Sequence, residues 1–269
     1  MFVLKALTDK YAKGGKLYLC FIDFKKAFDT VWRKGILFKA LINGISGPIY
    51  HVLKNMYEKV FLGAKSDNPN FFESFIGTKQ GAVESPTMFN LFINDIPQLF
   101  NDSCDPAQLC DKPINCLMYA DDLVLISKSK TGLQNCLDKL SDYTTKWHLK
   151  INTQKSKIMI VNKTGRLSKE KFELVGETLE NVREYNYLGI TFCCSGSFTI
   201  AKIALKDRGY KAMWKLRSII DGEVGGCQMP LKLFEQTVVP ILLYGAEIWT
   251  ILSDNRLNCL LYTSPSPRD

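Results

Sequence analysis

Two adjacent aspartates interrupt an apolar stretch of the chain, in the segment "CLMYADDLVLIS" from Cys116 to Ser127. The apolar runs on either side are short, which predicts two core strands joined by a tight hairpin. Aspartate tolerates the positive φ angle that two-residue hairpin turns require. Two neighbouring carboxylates in a low-dielectric site repel each other, and a cation bound between them removes that penalty. Asp121 and Asp122 therefore indicate either a metal site or a solvated turn tip.

The composition indicates a globular protein with an anionic partner. Hydrophobic residues make up 46% of the 269 residues, which is too many for a disordered chain. The net charge of +8 favours nucleic acid as the partner. No apolar run approaches the roughly 18 residues of a membrane span, and the N-terminus lacks the pattern of a signal peptide.

The nine cysteines and two histidines do not follow the spacing of a zinc site. Cys104, Cys110 and Cys116 are evenly spaced, and neither histidine lies close to a group of cysteines in the sequence. We therefore expect all the cysteines to be reduced thiols in an intracellular protein.

The order of the predicted elements indicates a split β-α-β frame. The strand "KLYLCFID" ends on Asp23, and helical segments follow it. Next come a hairpin with an Asp-Asn-Pro-Asn turn and a helix with Ser85 as its N-cap and Pro86 as its first residue. The aspartate hairpin, another helix and the strand "SKIMIV" complete the order. This order predicts an α+β fold with a ferredoxin-like β-α-β-β-α-β domain.

Helical spacing assigns apolar residues to the core-facing side of five helices. The assigned residues are, in chain order, Phe2, Leu7 and Tyr11; Ile49, Val52, Leu53, Met56 and Tyr57; Phe89, Phe92, Ile93 and Ile96; Leu133, Leu137, Leu140 and Thr144; Ile203, Tyr210 and Trp214.

A third aspartate is expected beside the hairpin. In a β-α-β-β-α-β sheet the first strand lies next to the central hairpin, which brings Asp23 close to Asp121 and Asp122. Three carboxylates on neighbouring strand ends suit magnesium, a hard cation that prefers oxygen ligands. A pair of such ions about 3.5–4 Å apart can activate an attacking hydroxyl and neutralise a leaving phosphate. The three aspartates together favour the metal site over the solvated turn.

Five motifs occur in the order seen in reverse transcriptases. They are "FIDFKKAFDTV", "GTKQGAVESPTMFNLFIND", "YADD", "LKINTQKSKIMIV" and "YLGI". The first two are most similar to those of non-long-terminal-repeat (LINE-type) retrotransposons. The resemblance implies an RNA-directed DNA polymerase that uses two Mg²⁺ ions (Mn²⁺ being an alternative), an RNA template, a DNA primer and deoxynucleoside triphosphates. It also implies a nuclear site of action.

The resemblance implies a polymerase palm followed by a helical thumb, with the fingers mostly missing. The palm and a small remnant of fingers are expected in residues 1–163, and connecting strands with a primer-grip turn in 164–198. A thumb-like helical region is expected in 199–258 and a disordered tail in 259–269. The Ser-Pro repeats of residues 262–269 leave open whether that end is native.

The resemblance also implies a role for each matched residue. Asp23, Asp121 and Asp122 would hold the metal ions, and Lys155 would donate a proton to the departing pyrophosphate, with Lys157 as the alternative donor. The nucleotide would contact Phe24, Phe28, Gln80 and Gly81, with Phe28 excluding a ribose 2′-hydroxyl. Primer and template would contact Tyr119, Tyr187, Leu188, Gly189, Lys202, Lys206, Lys211 and Lys215.

The four lysines just named belong to a predicted basic helix from Lys202 to Arg217. Their recurrence near helical spacing indicates a face that follows a phosphate backbone. A solvated lysine face is the other interpretation of the same pattern.

Two departures from the family pattern leave an alternative function open. The resemblance begins just before the first catalytic strand, and Glu84 stands where a hydrophobic residue is usual. The alternative is a catalytically inactive nucleic-acid-binding remnant of a retrotransposon polymerase. A nucleotide cyclase would also use two-metal carboxylates but leaves "QGAVESP", "YLGI" and the basic helix unexplained.

Overall fold

The structure is a computed structural model that describes residues 1–58, 60–63, 71–78, 81–100, 102–220 and 228–248. The described helices are α1 Phe2–Lys13, α2 Ala27–Thr30, α3 Arg33–Ile42, α4 Gly47–Glu58, α5 Ser85–Ile93, α6 Lys130–Lys146, α7 Thr199–Ile220, α8 Gln228–Thr237 and α9 Val239–Leu242. The first eight strands are β1 Lys16–Ile22, β2 Val60–Gly63, β3 Phe71–Ser74, β4 Ala107–Leu109, β5 Lys112–Ile114, β6 Cys116–Tyr119, β7 Asp122–Ser127 and β8 Lys157–Asn162. Five short strands follow: β9 Glu173–Leu174, β10 Glu177–Thr178, β11 Glu180–Asn181, β12 Glu184–Tyr187 and β13 Ile190–Cys193. Mixed helices and sheets confirm the predicted α+β class.

A five-stranded sheet with the order β11-β8-β1-β7-β6 forms the centre of the fold. Strand β1 pairs antiparallel with both β7 and β8, and β6 and β7 form the aspartate hairpin. Helices precede β6 and α6 separates β7 from β8, so the element order is the predicted β-α-β-β-α-β. Strand β11 adds to the edge of β8 in parallel.

Strand β1 is buried on both faces, so its sequence is continuously apolar rather than alternating. Tyr18, Cys20 and Ile22 belong to the larger core cluster, which also includes buried residues of α3, α5 and α6. Leu17, Leu19 and Phe21 belong to a second cluster, shared with α1, α7 and the β12–β13 hairpin. The two clusters enclose the sheet and set its position between two helical layers.

The predicted core faces are confirmed for α5 and α6 but wrong in part elsewhere. All four predicted residues of α6 are buried, as are Phe89, Phe92, Ile93 and Ile96. In α1 the buried residues are Leu4, Leu7 and Thr8, whereas Phe2 is exposed. In α4 only the C-terminal part of the apolar stripe packs on the core, and its first residues, Ile49 and Val52, are exposed.

The start of α5 differs from its prediction by one residue. Ser85 is the first helical residue, and Glu84 is the N-cap. Pro86 lies within the first two helical positions, where its missing N–H costs nothing. Ser85 is buried, so its side chain faces the core instead of capping the helix.

Several sequence expectations concern loops and cysteines. The β2–β3 hairpin is present, but its predicted Asp-Asn-Pro-Asn turn lies in residues 64–70, outside the described residues. The seven cysteines in the described part of the chain are free thiols. Each helix in the described ranges is too short or too polar to cross a membrane.

Lys39 joins three helices inside the core although it carries a charge. Its ammonium group donates to the Phe92 carbonyl, to the Tyr143 hydroxyl and, at 2.7 Å, to Oδ1 of Asp95. It also lies 3.9 Å from the centroid of the Trp147 ring. Burial lowers the pKa of Lys39, and its hydrogen bond to Asp95 opposes that effect. Charge-assisted hydrogen bonds thus connect α3 to α5 and α6.

We expect Asp95→Ala to destabilise the protein more than Lys39→Met does. Loss of Asp95 leaves a buried ammonium group without its counter-ion, which costs about 3–5 kcal/mol. Lys39→Met removes the buried charge itself, and Asp95 keeps its hydrogen bond from the Tyr143 hydroxyl at 2.6 Å. The expected loss in the free energy of unfolding is then about 1–3 kcal/mol.

Urea unfolding followed by circular dichroism measures this order. Lys54→Met is the matched control, because Lys54 forms only a surface pair with Glu58. Its effect is expected to stay within about 0.5 kcal/mol. A larger loss for Lys39→Met than for Asp95→Ala would contradict the role assigned to the buried ion pair.

Candidate active site

Strand pairing brings the three predicted aspartates to one end of the central sheet. Ile22 pairs with Leu123, so Asp23, the next residue after β1, lies beside Asp122, the first residue of β7. Tyr119 pairs with Asp122 and closes the two-residue turn that contains Asp121. The prediction that these residues converge from distant parts of the sequence is confirmed.

The aspartate hairpin turns differently from the prediction. The residue with a positive φ angle is Ala120, at 51°, and not an aspartate. A left-handed conformation costs a non-glycine residue about 1 kcal/mol, and such strain is concentrated at functional sites. With Ala120 in that position, Asp121 stays half-buried at the tip of the turn.

The three carboxylates influence one another's charge. Partial burial, then the charges of Asp121 and Asp23, raise the pKa of Asp122. Burial likewise raises the pKa of Tyr187 to about 12, with Asp122 as the next cause. Mutual repulsion of this kind is what a bound cation relieves.

The donor set at this sheet end fits a divalent cation, although the side chains are not closed around one. Within the described ranges, no three acidic, cysteine or histidine side chains are already arranged as a metal site. Carboxylate oxygens are nevertheless the ligands that Mg²⁺ prefers. The backbone beside Asp23 is held firmly, because its N–H donates to Ser156 Oγ at 3.1 Å and its carbonyl accepts from Asn152 N–H at 2.7 Å.

A cleft with a volume of about 1110 Å³ opens beside Asp23 and Asp121. Of the residues predicted to bind the nucleotide, three line this cleft: Phe24, Phe28 and Gly81. Gln80 lies outside the described residues. The half-buried Phe28 ring lies 4.7 Å from the Phe89 ring, measured between centroids, so α5 supports it from behind.

The structure distinguishes the two candidate lysines near the start of β8. Lys155 lines the cleft with Asp23 and Asp121, and its side chain is exposed. Lys157 is half-buried and forms an ion pair with Glu180. Lys155 is therefore the one available to a ligand in the cleft.

The predicted primer-grip residues form the turn of the β12–β13 hairpin. Leu188 and Gly189 have φ angles of 49° and 78°, the pattern of a type I′ turn. The Tyr244 hydroxyl donates to the Leu188 carbonyl at 2.8 Å, and Arg208 of α7 donates to the Gly189 carbonyl at 3.2 Å. The turn is thus attached to the helical region that follows it, and Tyr187 beside it is buried.

Helix α7 includes the predicted basic helix but packs on a different face. Its buried residues are Ala201, Leu205, Gly209 and Leu216. Ile203 and Trp214, predicted to face the core, are 46% and 65% exposed. Because the small and aliphatic residues make the contact, the aromatic rings lie on the solvent side.

The solvent side of α7 mixes cations with aromatic rings. Lys202 and Lys206 are half-buried, and Lys211 and Lys215 are exposed. The Lys206 ammonium lies 5.4 Å from the Tyr210 ring centroid, and Arg217 lies 5.8 Å from that of Trp214. Tyr119 is likewise exposed, on the strand that precedes the aspartate turn. Neither these residues nor the β12–β13 turn are among those that line the cleft.

Sequence reasoning missed several residues that line the cleft. They are the lysines Lys25, Lys26 and Lys150 and the amides Asn152 and Gln154. The pair of lysines directly after "FID" was a visible signal. The contribution of residues 150–154 depends on a β-bridge between Phe24 and Ile151, which no local pattern reveals.

Comparison with known proteins identifies relatives of the chain. The family model described as reverse transcriptase (RNA-dependent DNA polymerase) matches residues 4–192. The RNA-directed DNA polymerase from mobile element jockey of Drosophila melanogaster is 28% identical, over 96% of this chain and 28% of the relative. The probable RNA-directed DNA polymerase from transposon BS, also of Drosophila melanogaster, is 30% identical, over 95% and 28%. The chain thus spans just over a quarter of the length of these relatives.

Solved structures of telomerase from Candida tropicalis share the fold. The telomerase in complex with a fragment of telomeric RNA aligns with a TM-score of 0.52 and 14% identity, over 91% of this chain and 41% of that chain. The apo telomerase truncated from its C-terminal domain aligns with a TM-score of 0.50 and 16% identity, over 72% and 37%. At these identities the likeness concerns the fold alone.

We expect Asp122→Asn to remove stabilisation by Mg²⁺ without destabilising the metal-free protein. The neutral amide no longer repels Asp121 and Asp23. In chelator the free energy of unfolding should therefore stay the same or rise by up to about 1 kcal/mol, the size of a solvent-screened charge pair. Mg²⁺ should raise the Tm of the original protein but not that of the variant.

Thermal unfolding with and without Mg²⁺ tests this expectation. Asp142→Asn is the control, because Asp142 is an exposed carboxylate on α6. This variant should keep the full response to Mg²⁺. An Asp122→Asn protein that Mg²⁺ stabilises as much as the original would show that the cation binds elsewhere.

Proposed function

The chain belongs to the reverse transcriptase family, and from that premise we propose that it extends a DNA primer on an RNA template. The observation that carries the proposal is the convergence of Asp23 with Asp121 and Asp122 at the edge of the cleft. The relatives named as RNA-directed DNA polymerases support the same reaction. The reaction joins a deoxynucleotide to the primer 3′-hydroxyl and releases pyrophosphate.

Asp23, Asp121 and Asp122 are the residues that would hold the divalent cations. Two-metal chemistry is general for the family, and we propose Mg²⁺, with Mn²⁺ as the alternative. When bound, the cations activate the primer hydroxyl and neutralise charge on the leaving group. The raised pKa of Asp122 supports this assignment, because the carboxylates repel one another until a cation lies among them.

The nucleotide occupies the cleft in this proposal. Phe28 lies against Phe89 and closes the space that a ribose 2′-hydroxyl would need, so Phe28→Val should admit ribonucleotides in an extension assay. Gly81, with a φ angle of 80°, lets the backbone approach the new base pair. Phe24 is buried and supports the cleft floor rather than offering a ring face.

Primer and template lie outside the cleft, along the remaining predicted residues. Tyr119 and the turn of Tyr187, Leu188 and Gly189 are placed for the primer end, because Tyr187 lies within electrostatic reach of Asp122. The basic side of α7 then follows the duplex through phosphate contacts. In this scheme residues 1–163 are the palm, 164–198 the primer-grip connection and 199–258 the thumb.

Primer extension on an RNA template tests the proposed function. Purified protein with Mg²⁺ and four deoxynucleoside triphosphates should lengthen a DNA primer, and Asp23→Asn should reduce the rate by at least about 1,000-fold, since it removes a metal ligand. A gel shift at two salt concentrations runs in parallel. Salt-sensitive binding with no extension would favour the alternative, a nucleic-acid-binding remnant.

Lys155→Ala should slow the reaction, and Lys157→Ala should not. A positioned proton donor for the leaving pyrophosphate contributes about 100-fold to the rate. Lys157 is the matched control, two residues away and already paired with Glu180. Single-turnover primer extension measures both rates. Equal rates for the two variants would remove Lys155 from the proton-transfer step.

A further inference from the structure

Four lysines line the cleft beside the aspartates, and we call them the lysine wall: Lys25, Lys26, Lys150 and Lys155. All four side chains are exposed. Lys25 follows Asp23 by two residues, so the two α-carbons are separated by at most about 7 Å. A group of cations therefore stands next to the group of carboxylates.

Backbone pairing holds two of these lysines side by side. The antiparallel pairing of β1 with β8 resumes beyond both strands as a bridge between Phe24 and Ile151. The Lys25 N–H then donates to the Lys150 carbonyl at 2.7 Å. Between the bridge and β8, the chain makes a tight turn in which Ser156 N–H donates to the Asn152 carbonyl at 2.8 Å. That turn presents Lys155 on the same side.

Lys26 occupies a strained backbone conformation at the same place. Its φ angle is 47°, and its carbonyl accepts hydrogen bonds from the N–H groups of Asp29 and Thr30. A left-handed conformation costs a lysine about 1 kcal/mol relative to glycine. The conformation directs the chain from β1 into α2 along the cleft, and strain of this kind marks functional positions.

The lysine wall is not neutralised by the protein itself. Other lysines bordering the central sheet have acidic partners, such as Lys16 with Glu170 and Lys157 with Glu180. Among the described residues, no carboxylate forms an ion pair with any of the four lysines of the wall. Four like charges around one cleft attract an anion of several charges.

We propose that Lys25, Lys26 and Lys150 bind the triphosphate of the incoming deoxynucleotide; this assignment rests on the polymerase function proposed above. A triphosphate that carries a divalent cation satisfies both groups of charge, since its oxygens meet the lysines while the cation meets Asp23 and Asp121. The phosphates of primer and template are excluded by position, because Tyr119, the β12–β13 turn and α7 do not line the cleft.

Two measurements on the whole chain test the lysine wall. The first is calorimetric binding of magnesium tripolyphosphate, a probe without base or sugar. The second is the KM for dTTP on a poly(rA) template with an oligo(dT) primer, with the Kd for that primer–template measured separately. The variants are Lys25→Gln combined with Lys150→Gln, and Lys26→Gln alone. Lys163→Gln is the control, because Lys163 is exposed beyond the far end of β8.

We expect the double variant to weaken tripolyphosphate binding and to raise the KM for dTTP, each by about tenfold, through loss of charge-assisted hydrogen bonds. Lys26→Gln should have a smaller effect of the same kind. The Kd for primer–template should remain within about twofold, as expected for residues that meet no strand phosphate. Lys25→Arg combined with Lys150→Arg should retain binding, which separates loss of charge from loss of fold.

The outcomes separate this inference from the polymerase function. If the original protein binds tripolyphosphate through these lysines but extends no primer, the wall stands and the polymerase proposal fails. If it extends primers with an unchanged KM for dTTP in the double variant, the polymerase stands and the wall is overturned. A weaker affinity for primer–template with unchanged dTTP use overturns it as well. So does an original protein that binds no tripolyphosphate.

Discussion

Burial of β1 on both of its faces is the constraint on which the rest of the structure depends. The strand lies between β7 and β8, and its alternate side chains enter two different core clusters. A shift of one residue in its pairing would exchange the two sets of side chains between clusters of different shape. Close packing prevents that shift. The register that places Asp23 beside Asp122 is therefore held by apolar contacts and not by the acidic residues themselves.

The same strand separates the charges of the site into two groups. Its C-terminal end continues through Asp23 to the bridge of Phe24 with Ile151, so acidic and basic side chains alternate along a few residues of rigid backbone. Hydrogen bonds from Asp23 N–H to Ser156 and from Asn152 N–H to Asp23 hold this backbone. Groups fixed in this way need little reorganisation when charge develops in a reaction. A cleft that keeps carboxylates and ammonium groups apart suits an anionic substrate that carries a metal ion.

Local patterns predicted the structure well where one face of an element packs on one partner. Helix α6 is such a case, because its apolar face at helical spacing meets the sheet and is wholly buried. The predictions were wrong where the covering partner is limited in extent. The apolar stripe of α4 is covered only near Tyr57, and α7 packs through Leu205 and Gly209 while Trp214 faces solvent. Periodicity gives the faces of a helix, but contact with the rest of the fold decides which face is buried and over what length.

The sequence by itself determined the order of the elements, the α+β class and the identity of the three aspartates, because apolar runs and acidic interruptions are local properties. Tertiary structure decided what depends on pairing between distant segments. It separated Lys155 from Lys157, since only a neighbouring strand supplies Glu180. It placed the left-handed residue of the aspartate turn at Ala120, because the hairpin pairing determines where the turn falls. It also joined Lys25 to Lys150 through a backbone hydrogen bond that no spacing in the sequence encodes.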